Sequence, residues 1–243
     1  MHVAVISDIH GNRHALDAVL ADADDRGCDE VWCLGDVVGY GADPDGCCAA
    51  VRSFASVCLA GNHDLAAIGS LSTDSFTDDA ATSATWTGEH LTAEHRAWLG
   101  SLRPQATAQS FLLAHGSPLH PVWEYVLTAA QAEASLDAFE EQVALIGHSH
   151  VPLSFARDGN RPVVPQRRTD GDEAQIGAQR WLLNPGSVGQ PRDEDPRASW
   201  MELHPYDGRV AWHRVRYDVG GAQQAIRDAG LPTSLADRLG VGR

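Results

Sequence analysis

Positive charge is scarce in this chain, and lysine is absent altogether. The 243 residues include 33 acidic and only 18 basic side chains, all of them arginine, which gives a formal net charge of −15. Non-specific binding to nucleic acid or to an anionic membrane needs a basic surface, so this balance argues against both. The absence of lysine is typical of a GC-rich genome, which we favour over a functional reason.

Long hydrophobic runs and paired cysteine motifs are also missing. No apolar run approaches the length that crosses a bilayer, and the first run, which stops at Asp8, is too short for a signal-peptide core. The five cysteines are an odd number without a CxxC pair, and Cys33 and Cys58 lie inside apolar runs, where free cysteine behaves as a small hydrophobe. We therefore expect a reducing, cytoplasmic compartment and no membrane association.

Five short apolar segments each lead to a side chain that can bind a metal. They are VAVISD (to Asp8), VWCLGD (to Asp36), VCLAGN (to Asn62), FLLAHG (to His115) and VALIGHSH (to His148 and His150). In open α/β sheets, ligands bind beyond the carboxyl ends of the strands. The repetition therefore predicts one sheet whose strand ends converge on one polar site.

The order of strand-like and helix-like segments predicts the fold class. Residues 1–65 alternate as βαβαβ, which indicates a parallel sheet with right-handed crossovers. Residues 66–104 predict a helical insertion, which either covers the site or packs on a sheet edge. Beyond residue 150, turn signals such as DG and DGN indicate a second, more antiparallel sheet. We expect a single domain over 1–243, a four-layer α/β/β/α sandwich with a dinuclear metal site at the carboxyl ends of the strands.

The candidate ligands combine carboxylates, an amide and imidazoles without a thiolate. Asp8 and His10 are two residues apart, so strand alternation would point both side chains at one ion. Asp36 has two carboxylate oxygens and can bridge two cations. The seven candidates are Asp8, His10, Asp36, Asn62, His115, His148 and His150. Such donors favour manganese, iron, zinc or cobalt, and seven of them with one bridge suit two ions.

A two-metal site favours phosphoryl chemistry. Two ions roughly 3.5–4 Å apart support in-line displacement at phosphorus and make hydroxide available near neutral pH. His63 follows Asn62 directly and is a candidate general acid for the leaving oxygen. Asp64 would accept a hydrogen bond from the other ring nitrogen of His63 and orient it.

Three further residues are candidate substrate contacts, each with a structural alternative. Asn12 contacts phosphate or shapes its loop, and Tyr40 stacks on a base or packs in a glycine-flanked turn. Arg192 offers a planar fork to a phosphate or forms a surface ion pair with an acidic residue among 193–195.

Five sequence blocks spread over residues 8–150 resemble the calcineurin-like metallophosphoesterases. They are DIHGN (Asp8 to Asn12), GD (Gly35, Asp36), GNHD (Gly61 to Asp64), AHG (Ala114 to Gly116) and GHSH (Gly147 to His150). The resemblance implies one metal held by Asp8, His10, Asp36 and His150, and another held by Asp36, Asn62, His115 and His148. It also implies that His63 is catalytic, with Asp64 as its partner. GYGADP (39–44) and NPGSVGQPR (184–192) resemble the bacterial and archaeal branch known as diadenosine-tetraphosphatase-like or phosphodiesterase-like.

The predicted function is hydrolysis of a small phosphodiester, phosphomonoester or dinucleoside polyphosphate by in-line attack of metal-bound hydroxide. The alternatives are a non-catalytic metal-binding scaffold, as in a retromer subunit of similar fold, and a nuclease. His63 argues against the scaffold, because the catalytic histidine is missing there. The acidic charge argues against binding a nucleic acid polymer. The expected partner is thus a small phosphoester, and the oligomeric state stays open.

Overall fold

The computed structural model describes residues 1–159 and 161–243; Asn160, part of the predicted DGN turn, lies outside them. The strands in chain order are β1 (Val3–Ile6), β2 (Glu30–Cys33), β3 (Ala55–Cys58), β4 (Gln105–Ala108), β5 (Phe111–Ala114), β6 (Val143–Ile146), β7 (Pro152–Arg157), β8 (Gln166–Arg167), β9 (Glu173–Gln175), β10 (Arg180–Pro185), β11 (Ala198–His204) and β12 (Arg209–Val215). The α-helices are α1 (Arg13–Asp25), α2 (Pro44–Phe54), α3 (Asn62–Ala67), α4 (Asp78–His90), α5 (Ala93–Ser101), α6 (Ala129–Leu136), α7 (Val219–Asp228) and α8 (Thr233–Asp237), and a 3₁₀ helix spans Arg238–Gly240.

The first sheet has the strand order β3-β2-β1-β11-β12-β9. β1, β2 and β3 run parallel, with Val5 beside Trp32 and Cys33 beside Cys58, which confirms the predicted βαβαβ unit. β11 pairs antiparallel with the free edge of β1 and brings β12 and β9 with it. The first sheet is therefore built from both ends of the chain.

The second sheet has the order β4-β5-β6-β10-β7-β8. β5, β6 and β10 are parallel, whereas β4, β7 and β8 are antiparallel to their neighbours. The prediction of one sheet for all five ligand-ending segments is wrong, because β1 to β3 lie in the first sheet and β5 and β6 in the second. The two sheets pack face to face, and their carboxyl ends meet at the same edge.

Apolar side chains of both inner faces form the central core. Val5 and Trp32 of the first sheet belong to one buried cluster with Leu113, Leu145 and Leu183 of the second. Burial of a side chain of this size stabilises the fold by about 1.5–3 kcal/mol. Helices α1 and α2 cover the outer face of the first sheet, and α6 covers that of the second. This arrangement confirms the predicted α/β/β/α sandwich.

Helix α1 follows β1 and packs back against the first sheet. The side chain of Asn12 caps the helix by accepting a hydrogen bond from the backbone N–H of Ala15. Leu16, Val19 and Ala23 recur at helical spacing and are buried against the first sheet. The loop between β1 and this cap is short, and it carries Asp8 and His10.

Two further sequence expectations concern cysteine and membrane helices. The five cysteines are all free in the described part of the chain. Among the helices of residues 1–159 and 161–243, none is long and apolar enough to span a membrane.

Candidate metal centre

The candidate ligands lie one to four residues beyond the strand ends, six of them in loops and Asn62 at the start of α3. Five of the seven have positive φ angles, between 53° and 64°: Asp8, His10, Asp36, His148 and His150. Non-glycine residues in this region cost on the order of 1–3 kcal/mol each, and they cluster at functional sites. The expectation that strand alternation aims Asp8 and His10 is therefore wrong. Left-handed turns aim them instead.

Four of the ligands converge on one point. Asp8, His10, Asp36 and His150 each offer an atom within 4.8 Å of the others. Nε2 of His10 lies 3.1 Å from Nε2 of His150 and 3.6 Å from Oδ2 of Asp36. Oδ1 of Asp8 lies 3.4 Å from Nε2 of His150. This is the set that the sequence blocks imply for one ion.

A second group shares Asp36 with the first. Asp36, His115 and His148 also offer atoms within 4.8 Å of one another. Nε2 of His115 lies 3.4 Å from Oδ2 of Asp36 and 3.1 Å from Oδ1 of Asn62. Thus Oδ2 of Asp36 faces an imidazole of each group.

Backbone carbonyl groups orient three of the imidazoles. Each Nδ1 lies at hydrogen-bond distance from a carbonyl oxygen: His10 from Val38 at 3.1 Å, His115 from Leu34 at 2.9 Å and His150 from Gln190 at 2.6 Å. Since a carbonyl only accepts, Nδ1 carries a proton, which leaves Nε2 as the ring atom that can bind a cation. The ligand atoms that face the centre are therefore ready to bind a cation.

Several polar atoms of the centre are buried without a partner. The backbone N–H of His148 donates to Oδ2 of Asp8 at 3.1 Å. The backbone N–H of His63 donates to Oδ1 of Asp36 at 2.9 Å. The opposite oxygens, Asp8 Oδ1 and Asp36 Oδ2, have no hydrogen-bond partner among the described residues, and neither has Nε2 of His148. Buried unpaired acceptors are costly, and a bound cation would satisfy all three. The donor set therefore fits divalent metal ions.

The electrostatics of the centre agree with that fit. Burial lowers the pKa of His148 to about 3 and the pKa values of His10 and His150 well below the ordinary value, so these imidazoles are neutral, as ligands must be. Burial raises the pKa of Asp8 to about 7. Burial also opposes charge on His115, but the adjacent Asp36 carboxylate outweighs it and raises the pKa of His115 to about 9.

His63 lies directly beside the metal groups. Its ring centroid is 4.9 Å from that of His10, 4.3 Å from Tyr40 and 4.7 Å from Phe76. Its Nδ1 atom is buried without a partner among the described residues, and burial lowers its pKa to about 4. Packing between aromatic rings therefore holds this imidazole.

The expected hydrogen bond between Asp64 and His63 is not formed. The carboxylate of Asp64 accepts instead from the backbone N–H groups of Asp36 at 2.8 Å, Gly61 at 2.9 Å and Val38 at 3.0 Å. His63 and Asp64 are consecutive residues in the first turn of α3, so their side chains point in different directions around the helix axis. Asp64 thus joins the loop after β2 to the start of α3.

These observations can be compared with known proteins. The family model of the calcineurin-like phosphoesterase superfamily domain matches residues 1–205. The chain belongs to this superfamily. As the five sequence blocks predict, it is a metal-dependent phosphoester hydrolase.

Three similar proteins span at least 99% of this phosphoesterase. An uncharacterized protein of Methanocaldococcus jannaschii is 36% identical over 247 residues, covering 99% of this chain and 98% of that protein. The crystal structure of a metallophosphoesterase from Sphaerobacter thermophilus is similar with a TM-score of 0.91 and 42% identity, covering 100% of this chain and 99% of the other. A hypothetical protein of Pyrococcus horikoshii, 21% identical, has a TM-score of 0.80 with 100% and 98% coverage, which shows the fold alone.

Asn12 of the phosphoesterase shapes its loop. Its Oδ1 caps α1, while Nδ2 donates to the carbonyl of Gly189 at 2.9 Å and to the hydroxyl of Tyr217 at 3.3 Å. Both ends of the amide are therefore engaged within the protein, as the loop-shaping alternative requires. Asn12 instead ties the loop after β1 to the NPGSVGQPR segment.

Arg192 and Tyr40 form a pair at the phosphoesterase centre. Nη2 of Arg192 lies 3.4 Å from the Tyr40 hydroxyl and donates to Oε1 of Gln190 at 2.9 Å. The acidic residues 193–195 pair with other arginines, so the alternative of an ion pair with Arg192 fails in the described part of the chain. Tyr40 is buried with φ 58°, and its ring lies 4.7 Å from His10. The guanidinium charge is therefore not paired with a carboxylate among the described residues.

Two contributors to the site are not predicted by the sequence. Phe76, in the 66–104 segment, packs on His63, and nothing in its local sequence marks it. The carbonyl of Gln190 orients His150, and a backbone group leaves no residue signal beyond the glycine-rich context. Tyr125 also borders the site, since it stacks on His148 with centroids 4.1 Å apart and planes 14° apart.

Proposed function

We propose that this phosphoesterase hydrolyses a small phosphodiester, phosphomonoester or dinucleoside polyphosphate at a centre of two metal ions. The position of Asp36 Oδ2 carries the proposal. This buried oxygen has no hydrogen-bond partner among the described residues, and it lies 3.6 Å from His10 Nε2 and 3.4 Å from His115 Nε2. One atom thus faces both ligand groups, as a bridging carboxylate would. Manganese, iron or zinc fits the oxygen and nitrogen donors.

The ligands divide into two sets that share one residue. Asp8, His10, Asp36 and His150 would hold one ion, and Asp36, Asn62, His115 and His148 would hold the other. Ions held in this way would neutralise phosphate charge and supply hydroxide for in-line attack near neutral pH.

His63 would donate a proton or a hydrogen bond to the leaving oxygen. Its ring is fixed between Tyr40 and Phe76 and touches the ring of His10, which places it at the edge of the first metal group. Since Asp64 makes no contact with its Nδ1 atom, orientation comes from packing. General-acid assistance of this kind contributes about 10²–10⁴-fold to rate.

Arg192 would bind the phosphate oxygens of the substrate. Its planar fork suits a phosphate, and Gln190 and Tyr40 restrain the guanidinium before substrate arrives. Less conformational freedom is then lost on binding, which favours affinity.

The surroundings of the centre support a small substrate. Phe76 of the 66–104 segment packs edge-on against Trp123, with centroids 5.6 Å apart, while Tyr125 covers His148. These rings narrow the approach to the metals, so we propose that 66–104 partly covers the site. The acidic net charge of −15 disfavours a nucleic acid polymer. The free cysteines accord with the cytoplasmic location that the sequence predicts.

A substrate panel tests the proposal. Wild-type protein loaded with Mn²⁺ is assayed on diadenosine tetraphosphate, cyclic nucleotides, and model phosphomonoesters and phosphodiesters. We expect turnover of at least one class, a loss of about 10²–10⁴-fold in His63→Ala with metal content retained, and wild-type turnover in the exposed control His90→Ala. Full activity of His63→Ala would contradict its assignment. No turnover of any phosphoester would favour a scaffold, and cutting of DNA at physiological salt would favour a nuclease.

A further inference from the structure

A second cluster of histidine and carboxylate lies at the opposite end of the first sheet. His2 precedes β1, whose other end leads to Asp8, and Glu202 and His204 lie at the end of β11. The antiparallel register pairs Val3 with Leu203, so His2 lies beside His204, with ring centroids 4.1 Å apart. The backbone register thus holds this cluster in place.

Strand alternation gives the cluster a common face. Leu203 points into the core between the sheets, so Glu202 and His204 both point to the other side of β11. His2, Glu202 and His204 each offer a ligand atom within 4.8 Å of the others. The side chains of Glu202 and His204 are 10% and 6% exposed, and that of His2 is 38% exposed. The cluster is therefore enclosed but reachable from solvent past His2.

The contacts within the cluster do not satisfy the hydrogen-bonding capacity of its ring nitrogens. Nε2 of His204 lies 2.6 Å from Oε1 of Glu202 and 2.6 Å from Nη2 of Arg209. A ring nitrogen carries either a proton or a lone pair, so only one of the two contacts is a hydrogen bond in any tautomer. Nδ1 of His2 is buried without a partner among the described residues and lies 4.0 Å from Oε1 of Glu202.

The carboxylate at the middle of the cluster is oriented by a third histidine. Nε2 of His213 lies 3.1 Å from Oε2 of Glu202, which leaves Oε1 facing His2 and His204. An outer hydrogen bond of this kind is what orients carboxylates at metal sites.

We propose that His2, Glu202 and His204 form a divalent transition-metal site of the zinc class, separate from the phosphoesterase centre. Two imidazoles and one carboxylate with a position left for water match the ligand chemistry of zinc. A cation there would bind Nδ1 of His2, which has no partner among the described residues. It would also bind Nε2 of His204, for which Glu202 and Arg209 now compete. Arg209, whose side chain is 45% exposed, can turn into solvent and yield its position. The ion would join residue 2 to β11 and stabilise the fold by mass action.

Zinc counting tests this site. Tag-free protein is stripped with a chelator, equilibrated with Zn²⁺, passed through gel filtration and analysed for metal by mass spectrometry. We expect wild type and His90→Ala to hold about one zinc per chain more than His2→Ala and Glu202→Gln. His2 is half-exposed, so His2→Ala keeps the fold and the phosphoesterase activity, while Glu202→Gln tests the carboxylate. Equal zinc content in wild type and His2→Ala would overturn the site.

A second measurement tests the site by another route. We expect the Co²⁺ absorption spectrum of wild type to contain visible bands that His2→Ala lacks, and Zn²⁺ to raise the Tm of wild type more than that of His2→Ala. Identical spectra and Tm shifts would count against it. Both experiments compare chains with the same phosphoesterase centre, so their outcome does not depend on whether the proposed activity is found.

Discussion

The backbone N–H of His63 donates a 2.9 Å hydrogen bond to Oδ1 of Asp36. This bond joins the candidate general acid to the carboxylate that faces both ligand groups. Gly61 lies so close that a Cβ atom there would overlap the Asp36 carboxylate. One oxygen of Asp36 is therefore held by the start of α3, and the other faces the candidate ligands His10 and His115.

Removal of Asp36 should empty the centre. Asp36→Ala deletes the only carboxylate that both groups share, so we expect the two bound ions to be lost together, with loss of activity. Metal content per chain after gel filtration checks this, with the exposed Asp74→Ala as the matched control. If Asp36→Ala retained two ions per chain, the bridging assignment would be wrong.

A methyl group at residue 39 should displace His63. Gly39 has φ 91°, and an added Cβ would lie 2.6 Å from Nδ1 of His63. We expect Gly39→Ala to lower kcat about 10²-fold with metal content retained, because small misplacements of catalytic groups are costly. Gly69→Ala is the control, since Gly69 has φ 78° but nothing within 4 Å of an added Cβ. Equal kcat values in Gly39→Ala and Gly69→Ala would contradict the prediction that a methyl group at residue 39 acts by displacing His63.

Substitution of Arg192 should weaken substrate binding. Arg192→Ala removes the phosphate fork, and we expect kcat/KM to fall about 10–100-fold, mainly through KM. Arg192→Lys should recover part of the loss, because lysine supplies the charge without the planar fork. Steady-state kinetics on the substrate found in the panel measure both, with the exposed Arg216→Ala as control. An unchanged kcat/KM in Arg192→Ala would refute the contact.

Ionisation of Asp45 should make the free energy of unfolding depend on pH in the acidic range. Asp45 accepts hydrogen bonds from Nδ1 of His95 at 2.7 Å and from the backbone N–H of Thr92 at 3.0 Å, which joins α2 to α5. Burial raises the pKa of Asp45, but these hydrogen bonds outweigh it and lower the pKa below the ordinary value. The stabilisation is therefore fully present above the unfolded-state pKa of about 3.9 and is lost as pH falls through the lower folded-state value.

Urea unfolding of metal-free protein measures this dependence. We expect Asp45→Asn to lower the free energy of unfolding by about 1 kcal/mol at pH 7, with the difference shrinking below about pH 4. Asp74→Asn, at an exposed position, should show no such difference. A gap between wild type and Asp45→Asn that stayed constant from pH 7 to pH 3 would exclude ionisation of Asp45 as its cause.

Local sequence predicted much of the molecule. The βαβαβ order of residues 1–65 followed from apolar periodicity, because strand and helix patterns are set by near neighbours. The candidate ligands were recognisable because each lies within a few residues of an apolar strand. Where the prediction was wrong, the cause was backbone conformation or packing at close range: left-handed turns aim Asp8 and His10, and backbone N–H groups engage Asp64.

The sequence by itself determined the types of metal-ligand donor, the superfamily and the reaction class. Each of these depends on residue types in short sequence blocks, which can be recognised without knowing how the blocks are arranged in space. Only the tertiary structure decided that two sheets supply one site, that Asp36 faces both ligand groups, and that Asn12 serves its loop. The same holds for His2 and Glu202, which lie 200 positions apart in the chain. Strand register and sheet packing join such distant residues, and neither is written in a local pattern.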